Sequence, residues 1–196
     1  MKGKNRDKIL SSAKQMFCRY GIRKTNLNEI ARLARVAKAT IYNYFSNKEQ
    51  VYLEVLNQEA NELIVNISDA ISQMNSPVQK LNVFYRMRFN QMKEPSYLLN
   101  LSGEYDDVSL VKSAGIRDSL FKKEISILQS ILEEGMQEGI FHMESALQTA
   151  RAFGYALKGM EAAFHLKTNH DDMEKDFEGL FDILCRGILV KKGGAL

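Results

Sequence analysis

Residues 25–48 read TNLNEIARLARVAKATIYNYFSNK. Leu27, Ile30, Ala31 and Ala34 recur at three- and four-residue steps, which places them on one face of a short helix. Thr25 and Asn26 stand where a side-chain oxygen can cap its first turn. A tight break at Arg35–Ala37 leads to a second short helix, from Lys38 to about Phe45, anchored by Ile41 and Phe45. Ala31 is small where the two helices must cross, and Val36 plugs the turn. Two short helices three residues apart form a helix-turn-helix. Lys38, Ala39, Thr40, Tyr42, Asn43 and Tyr44 are left to divide between a groove and a phosphate surface. A helix of this size fits the ~12 Å major groove of DNA.

Outward from this stretch the pattern stays helical. Ile9, Leu10, Ala13, Met16, Phe17 and Tyr20 predict an amphipathic first helix, with Gly21 just past its end. Ser46 or Asn47 caps the fourth helix, and Glu49 follows Ser46 at capping-box spacing. Val51, Val55, Leu56, Leu63, Ile64, Ile67, Ile71 and Met74 carry that helix to Asn75-Ser76-Pro77. Pro77 fits the first turn of a fifth helix ending near Glu94-Pro95. The stretch 96–115, with Gly103, Asp106, Asp107 and Gly115, reads as one or two short helices with loops. Residues 117–138 form another helix, stopped by Gly139. Two strongly periodic helices close the chain, on Ala146–Phe164 and Met173–Ile188, joined by the polar linker His165–Asp172 as a helical hairpin. The expected class is all-α, with about nine helices: a three-helix head over residues 1–48 and a larger body over residues 49–196.

Charge divides along the same line. The formal net charge of the 196 residues is only +3. Positions 1–50 hold twelve basic against three acidic residues, a balance of +9, which leaves −6 on the rest. A basic head on an acidic body points to a polyanion partner for the head. Hydrophobic residues make up 45 %, enough for a core, so wholesale disorder is excluded. No apolar run approaches the ~18 residues that span a bilayer, and the start is charged, unlike a signal peptide. A cytoplasmic chain without a membrane partner is expected. Cys18 and Cys185, far apart, read as buried thiols rather than a disulfide framework.

The residues from Arg6 to Leu56 resemble the DNA-binding head of the TetR family of repressors. The matching positions are Ile9-Leu10, Ala13, Phe17, Gly21, Thr25, Ile30-Ala31, Ala34, Val36 and the run Thr40-Ile41-Tyr42-Asn43-Tyr44-Phe45-Ser46-Asn47-Lys48-Glu49. The resemblance covers about a quarter of the chain by motif, and the body by architecture alone. It implies that Tyr42, Lys48 and Thr25 contact backbone phosphate. Lys38, Ala39, Thr40, Asn43 and Tyr44 would lie in or along the major groove, where Asn43 suits an adenine edge. Lys2, Lys4 and Arg6 would form a loose arm reaching flanking DNA. One departure is Arg35, where the family has glycine. A left-handed arginine costs roughly 1–2 kcal/mol, and its charge offers a further phosphate contact.

For the body the resemblance implies an effector pocket. The candidate lining is Tyr85, Phe89, Tyr97, Leu101, Phe121, Ile125, Phe153 and Leu157, suited to an apolar or aromatic small molecule whose identity the sequence does not reveal. It also implies a homodimer through the last two helices, on a pseudo-palindromic operator of double-stranded DNA. Gly154, Gly159, Ala162 and Ala163 would allow close approach there. Shifting the long fourth helix as a lever would release the DNA. Any one aromatic of the body also reads as plain core packing.

Nothing implies a cofactor, a metal or an enzyme. His142, His165 and His170 match no metal-ligand spacing, and no phosphate loop, nucleophile elbow or HExxH occurs. Two other readings stand beside the repressor: DNA binding without small-molecule control, and a helical interaction module whose basic head binds another polyanion.

Overall fold

The computed structural model describes residues 2–94, 99, 107–166 and 171–189. Over these residues it has eight helices: α1 Lys2–Lys24, α2 Leu27–Ala34, α3 Lys38–Tyr42, α4 Lys48–Ser72, α5 Pro77–Lys93, α6 Asp107–Gln137, α7 Ala146–Leu166 and α8 Asp171–Ile188. Extended pairing among the described residues is limited to one isolated bridge, Phe141 with Leu189. No helix among them is long and apolar enough to cross a membrane. By packing, the chain divides into two compact units, Met1–Leu63 with Glu94–Leu120, and Ile64–Lys93 with Phe121–Leu196.

In the first unit, Ile9, Leu10, Ala13 and Phe17 of α1 are buried along with Ile30 of α2, Ile41 of α3 and Phe45 just beyond it. Val51, Tyr52, Val55 and Leu56 of α4 are buried too, and the Phe17 and Tyr52 rings meet edge-on at 5.6 Å. The predicted loose arm is instead the first two turns of α1. Arg6 pairs with Glu54 at 2.5 Å and lies over the Phe45 ring at 5.9 Å, so its charge braces the head internally. Gly21 has φ 75 and kinks α1, where the apolar stripe ends at Tyr20. Of the two candidate caps for α4, Asn47 is used: its Oδ1 accepts the Gln50 N–H at 2.8 Å.

In the second unit Leu81, Phe84, Tyr85 and Phe89 of α5, Leu128, Ile131 and Leu132 of α6, Phe153 and Leu157 of α7, and Met173 and Phe177 of α8 are buried. Helix α6 starts ten residues before the predicted 117. Gly115 therefore lies inside a helix, and the ~1 kcal/mol that a helical glycine costs is spread over 31 residues. Its far end behaves as predicted. Gly139 takes φ 68, and Ile140 N donates to Gly135 O at 2.8 Å. Phe141 packs so closely that a Cβ built on Gly135 would lie 2.0 Å from its ring.

Arg88 is 3 % exposed and meets Glu124 at 2.5 Å and Glu161 at 3.7 Å. Burial pushes the Glu124 carboxyl above the usual carboxylate range, against the pull of Arg88. Both cysteines are free and half-buried rather than fully buried. Burial pushes the Cys185 thiol up to about 11, helped by the nearby Asp182 charge.

Candidate nucleic-acid interface and effector groove

Helix α2, which leads into the turn before α3, is closed at both ends. At its start, Asn26 Oδ1 accepts the Glu29 N–H at 3.0 Å while Glu29 Oε2 accepts the Asn26 N–H at 3.1 Å. This reciprocal box satisfies two orphan donors of the first helical turn. Asn26, rather than Thr25, supplies the cap. At its end, Arg35 stands at φ 56, ψ 45, and Val36 N returns to Ala31 O at 3.0 Å. That six-to-one bond is the Schellman closure normally built on glycine. The arginine adopts the left-handed conformation itself, and its side chain is exposed.

Helix α3 is short, five residues, and one hydrogen-bonded turn extends it: Asn43 N donates to Ala39 O, and Phe45 N to Ile41 O. Ile41 and Phe45 are buried, which fixes its roll. Lys38, Ala39, Tyr42 and Asn43 are consequently exposed, and Thr40 and Tyr44 are half-buried. Tyr42 is 50 % exposed, with the Lys38 ammonium 5.8 Å from its ring. One face of α3 thus presents a cation, a methyl, an aromatic hydroxyl and a carboxamide together. Those groups can hydrogen-bond base edges and phosphates and touch a thymine methyl.

Thr25 and Lys48 are placed differently. Thr25 is buried, and its hydroxyl donates to Gly21 O at 2.8 Å. The Lys48 ammonium donates to Ile22 O at 2.7 Å, Thr25 O at 2.9 Å and Arg23 O at 3.4 Å. Its three hydrogens are directed to main-chain carbonyls at the α1–α2 corner, so the first residue of α4 bolts that helix to the head.

Sequence reasoning missed a second feature of the head. Met16, Tyr20, Lys24, Arg32, Leu33 and Arg35 line a shallow groove of about 420 Å³. Its signal is two large apolar residues at exposed positions, Tyr20 at 43 % and Leu33 at 42 %.

In the body, Tyr85 and Phe89 line a groove of about 230 Å³ between α5 and α8, together with Phe177 and Phe181. The rings run antiparallel in register: Tyr85 meets Phe181 at 4.7 Å, and Phe89 stacks on Phe177 at 4.4 Å. Tyr85 Oη is buried without a hydrogen-bond partner among the described residues, and burial raises the hydroxyl far above its usual range. Phe153 touches this cluster through Tyr85, ring to ring at 5.8 Å. Leu157 is core, 3 % exposed. Phe121 and Ile125 pack instead on Gly154, where a Cβ would sit 2.5 Å from Ile125 Cδ1. Gly154 therefore serves a close approach within the chain. Tyr97 and Leu101 lie outside the described residues. Phe177 and Phe181 were hidden in the apolar stripe of α8, since only pairing with α5 turns a core stripe into a groove wall.

Comparison with known proteins agrees with this arrangement. The family model for bacterial regulatory proteins of the tetR family matches residues 9–55. The chain is 25 % identical over 141 residues to the fatty acid metabolism regulator protein of Bacillus subtilis (strain 168), covering 67 % of this chain and 68 % of that one. It is 39 % identical over 57 residues to the HTH-type transcriptional regulator QacR of Staphylococcus aureus (strain Mu50 / ATCC 700699), covering 29 % and 30 %. The fold is shared with SmeT, solved as a complex with triclosan, at a TM-score of 0.78 and 15 % identity over 96 % of this chain and 93 % of that one. The capped helix-turn-helix lies inside the matched residues, so the head of this chain carries the DNA-binding domain of the tetR family of bacterial regulatory proteins.

Proposed function

We propose that the protein is a homodimeric repressor that reads a pseudo-palindromic operator in the major groove and leaves it when a small apolar or aromatic effector binds. Residues 1–48 act as the DNA-binding head and residues 49–196 as the effector-binding and dimerisation body. The observation that carries the reading is the exposed face of α3, with Lys38, Ala39, Tyr42 and Asn43 side by side above buried Ile41 and Phe45. Asn43 reads a base, and Tyr42 holds a phosphate. Thr40 and Tyr44 flank them, and Arg35 adds a phosphate contact from the turn. The start of α2 after Thr25 offers its free N–H groups to another phosphate, and the fixed Lys48 charge reinforces that end.

Dimerisation is supported by Tyr155 on α7 and Ile183 on α8, exposed at 62 % and 69 %. Large apolar side chains this exposed on the two closing helices suit burial by a second copy. The effector reading is supported by the aromatic groove and, by analogy of fold, by the triclosan in SmeT. A regulator without small-molecule control is the second reading. It is favoured by the closed packing of Phe121 and Ile125 on Gly154.

Titration of labelled DNA from upstream of the protein's own gene tests the proposal. Sequence-selective binding is expected, with Asn43→Ala losing about 1–3 kcal/mol of base discrimination and Tyr42→Ala weakening all sequences alike. Equal affinity for unrelated DNA, or no binding at low salt, would overturn it. Size measurement in solution decides the dimer, and ligand-induced release of bound DNA decides between the two readings.

A further inference from the structure

We propose that the α5–α8 groove takes an organic cation, an alkyl- or arylammonium, and that Lys93 occupies its mouth as a tethered competitor. The inference refines the effector site proposed above and rests on that reading for its regulatory meaning, but not for the binding itself. The first ground is what the chain already places there. The Lys93 ammonium lies 4.3 Å from the centroid of the Phe89 ring and 3.0 Å from Glu174 Oε2. Phe89 and Glu174 both line the groove, so one end of it holds an ammonium between an aromatic face and a carboxylate. An aromatic face attracts a cation through its quadrupole, and the carboxylate supplies the opposite charge.

The second ground is the rest of the wall. Tyr85, Phe177 and Phe181 continue the aromatic surface, and Glu178 adds a second carboxylate one turn beyond Glu174. Arg86 is the opposing charge. Its Nε donates to Asn82 Oδ1 at 3.0 Å, almost two turns of α5 away from Lys93. The unpartnered Tyr85 hydroxyl can accept a hydrogen bond from an N–H of a primary or secondary ammonium.

The third ground is that the resident ion pair is weak. The Lys93 and Glu174 side chains are 41 % and 58 % exposed, so solvent screens the pair and a second cation displaces it readily. A tethered side chain competes at an effective concentration in the millimolar range, which lowers the apparent affinity of any added ammonium. Removing that tether should therefore strengthen binding, the opposite of what losing a supporting residue does.

The test is calorimetric or NMR titration of the whole protein with benzyltrimethylammonium and with its neutral isostere neopentylbenzene. The cation is expected to bind about tenfold more tightly than the neutral compound. Lys93→Gln should raise affinity for the cation about threefold and leave the neutral compound unchanged. Glu174→Gln should lower affinity for the cation alone. Phe89→Leu should lower it as well, and because that ring is buried, the two exposed variants carry the decision. Equal affinity for the two compounds, no binding of either, or weaker cation binding in Lys93→Gln would overturn the proposal. Cation binding without any effect on DNA would leave the site standing and refute only its regulatory use. Selective DNA binding with no cation binding would do the reverse.

Discussion

Helices α2 and α6 end in the same backbone figure with opposite means. At α6 the left-handed residue is Gly139, φ 68, and a second glycine, Gly135, leaves room for the Phe141 ring. At α2 the left-handed residue is Arg35, φ 56, and no glycine occurs between Gly21 and Gly103. Both corners close with a bond back to a carbonyl five residues earlier, Ile140 to Gly135 and Val36 to Ala31. The hydrogen bond and the following apolar residue therefore define the turn, and glycine only lowers its cost. Where the cheaper residue is absent, the left-handed position carries an exposed charge.

The largest expected effect strikes the glycine-built corner. Gly135→Ala sets a methyl into the Phe141 ring and should cost about 3 kcal/mol in denaturant unfolding. A loss under half that figure would show that Phe141 moves aside and that the corner does not depend on glycine at position 135. Lys48→Met tests the neighbouring corner of the head, which is held by a side chain. Losing the ammonium bonds to Ile22 and Thr25 should cost about 2 kcal/mol in the melting of the head. Gly139→Ala should cost about 1.5 kcal/mol, from left-handed strain alone.

Arg35→Gly should run the other way, raising stability by about 1 kcal/mol. If Arg35 touches phosphate, the same change lowers the salt dependence of DNA binding by about one counterion. A stabilised variant with an unchanged salt slope would leave Arg35 without a use on DNA. The smallest effect concerns the thiols. With Cys185 near 11, only about a thousandth is thiolate at pH 8, so its alkylation in the folded protein should be far slower than in urea.

These corners also show what sequence patterning can carry. The α2–α3 turn was legible because Leu27, Ile30, Ala31 and Ala34 share a face and Ile41 and Phe45 set the roll of the next helix. Gly139 was legible because glycine past the end of an apolar stripe has one common use. Gly115 misled for the same reason: nothing local distinguishes a glycine that ends a helix from one absorbed by a long helix. The Lys48 bolt was not legible either. A lysine at a helix start reads as a charge for phosphate, and only folding brings the carbonyls of Ile22, Arg23 and Thr25 around it. The body groove was half legible, through Tyr85 and Phe89, because its other wall lies about ninety residues further along the chain.

The Lys48 bolt has a mechanical consequence. Three hydrogen bonds from one ammonium leave little play between the first turn of α4 and the α1–α2 corner. The first turn of α4 and the α1–α2 corner therefore behave as one piece of the head, a joint closed by charge rather than by apolar packing.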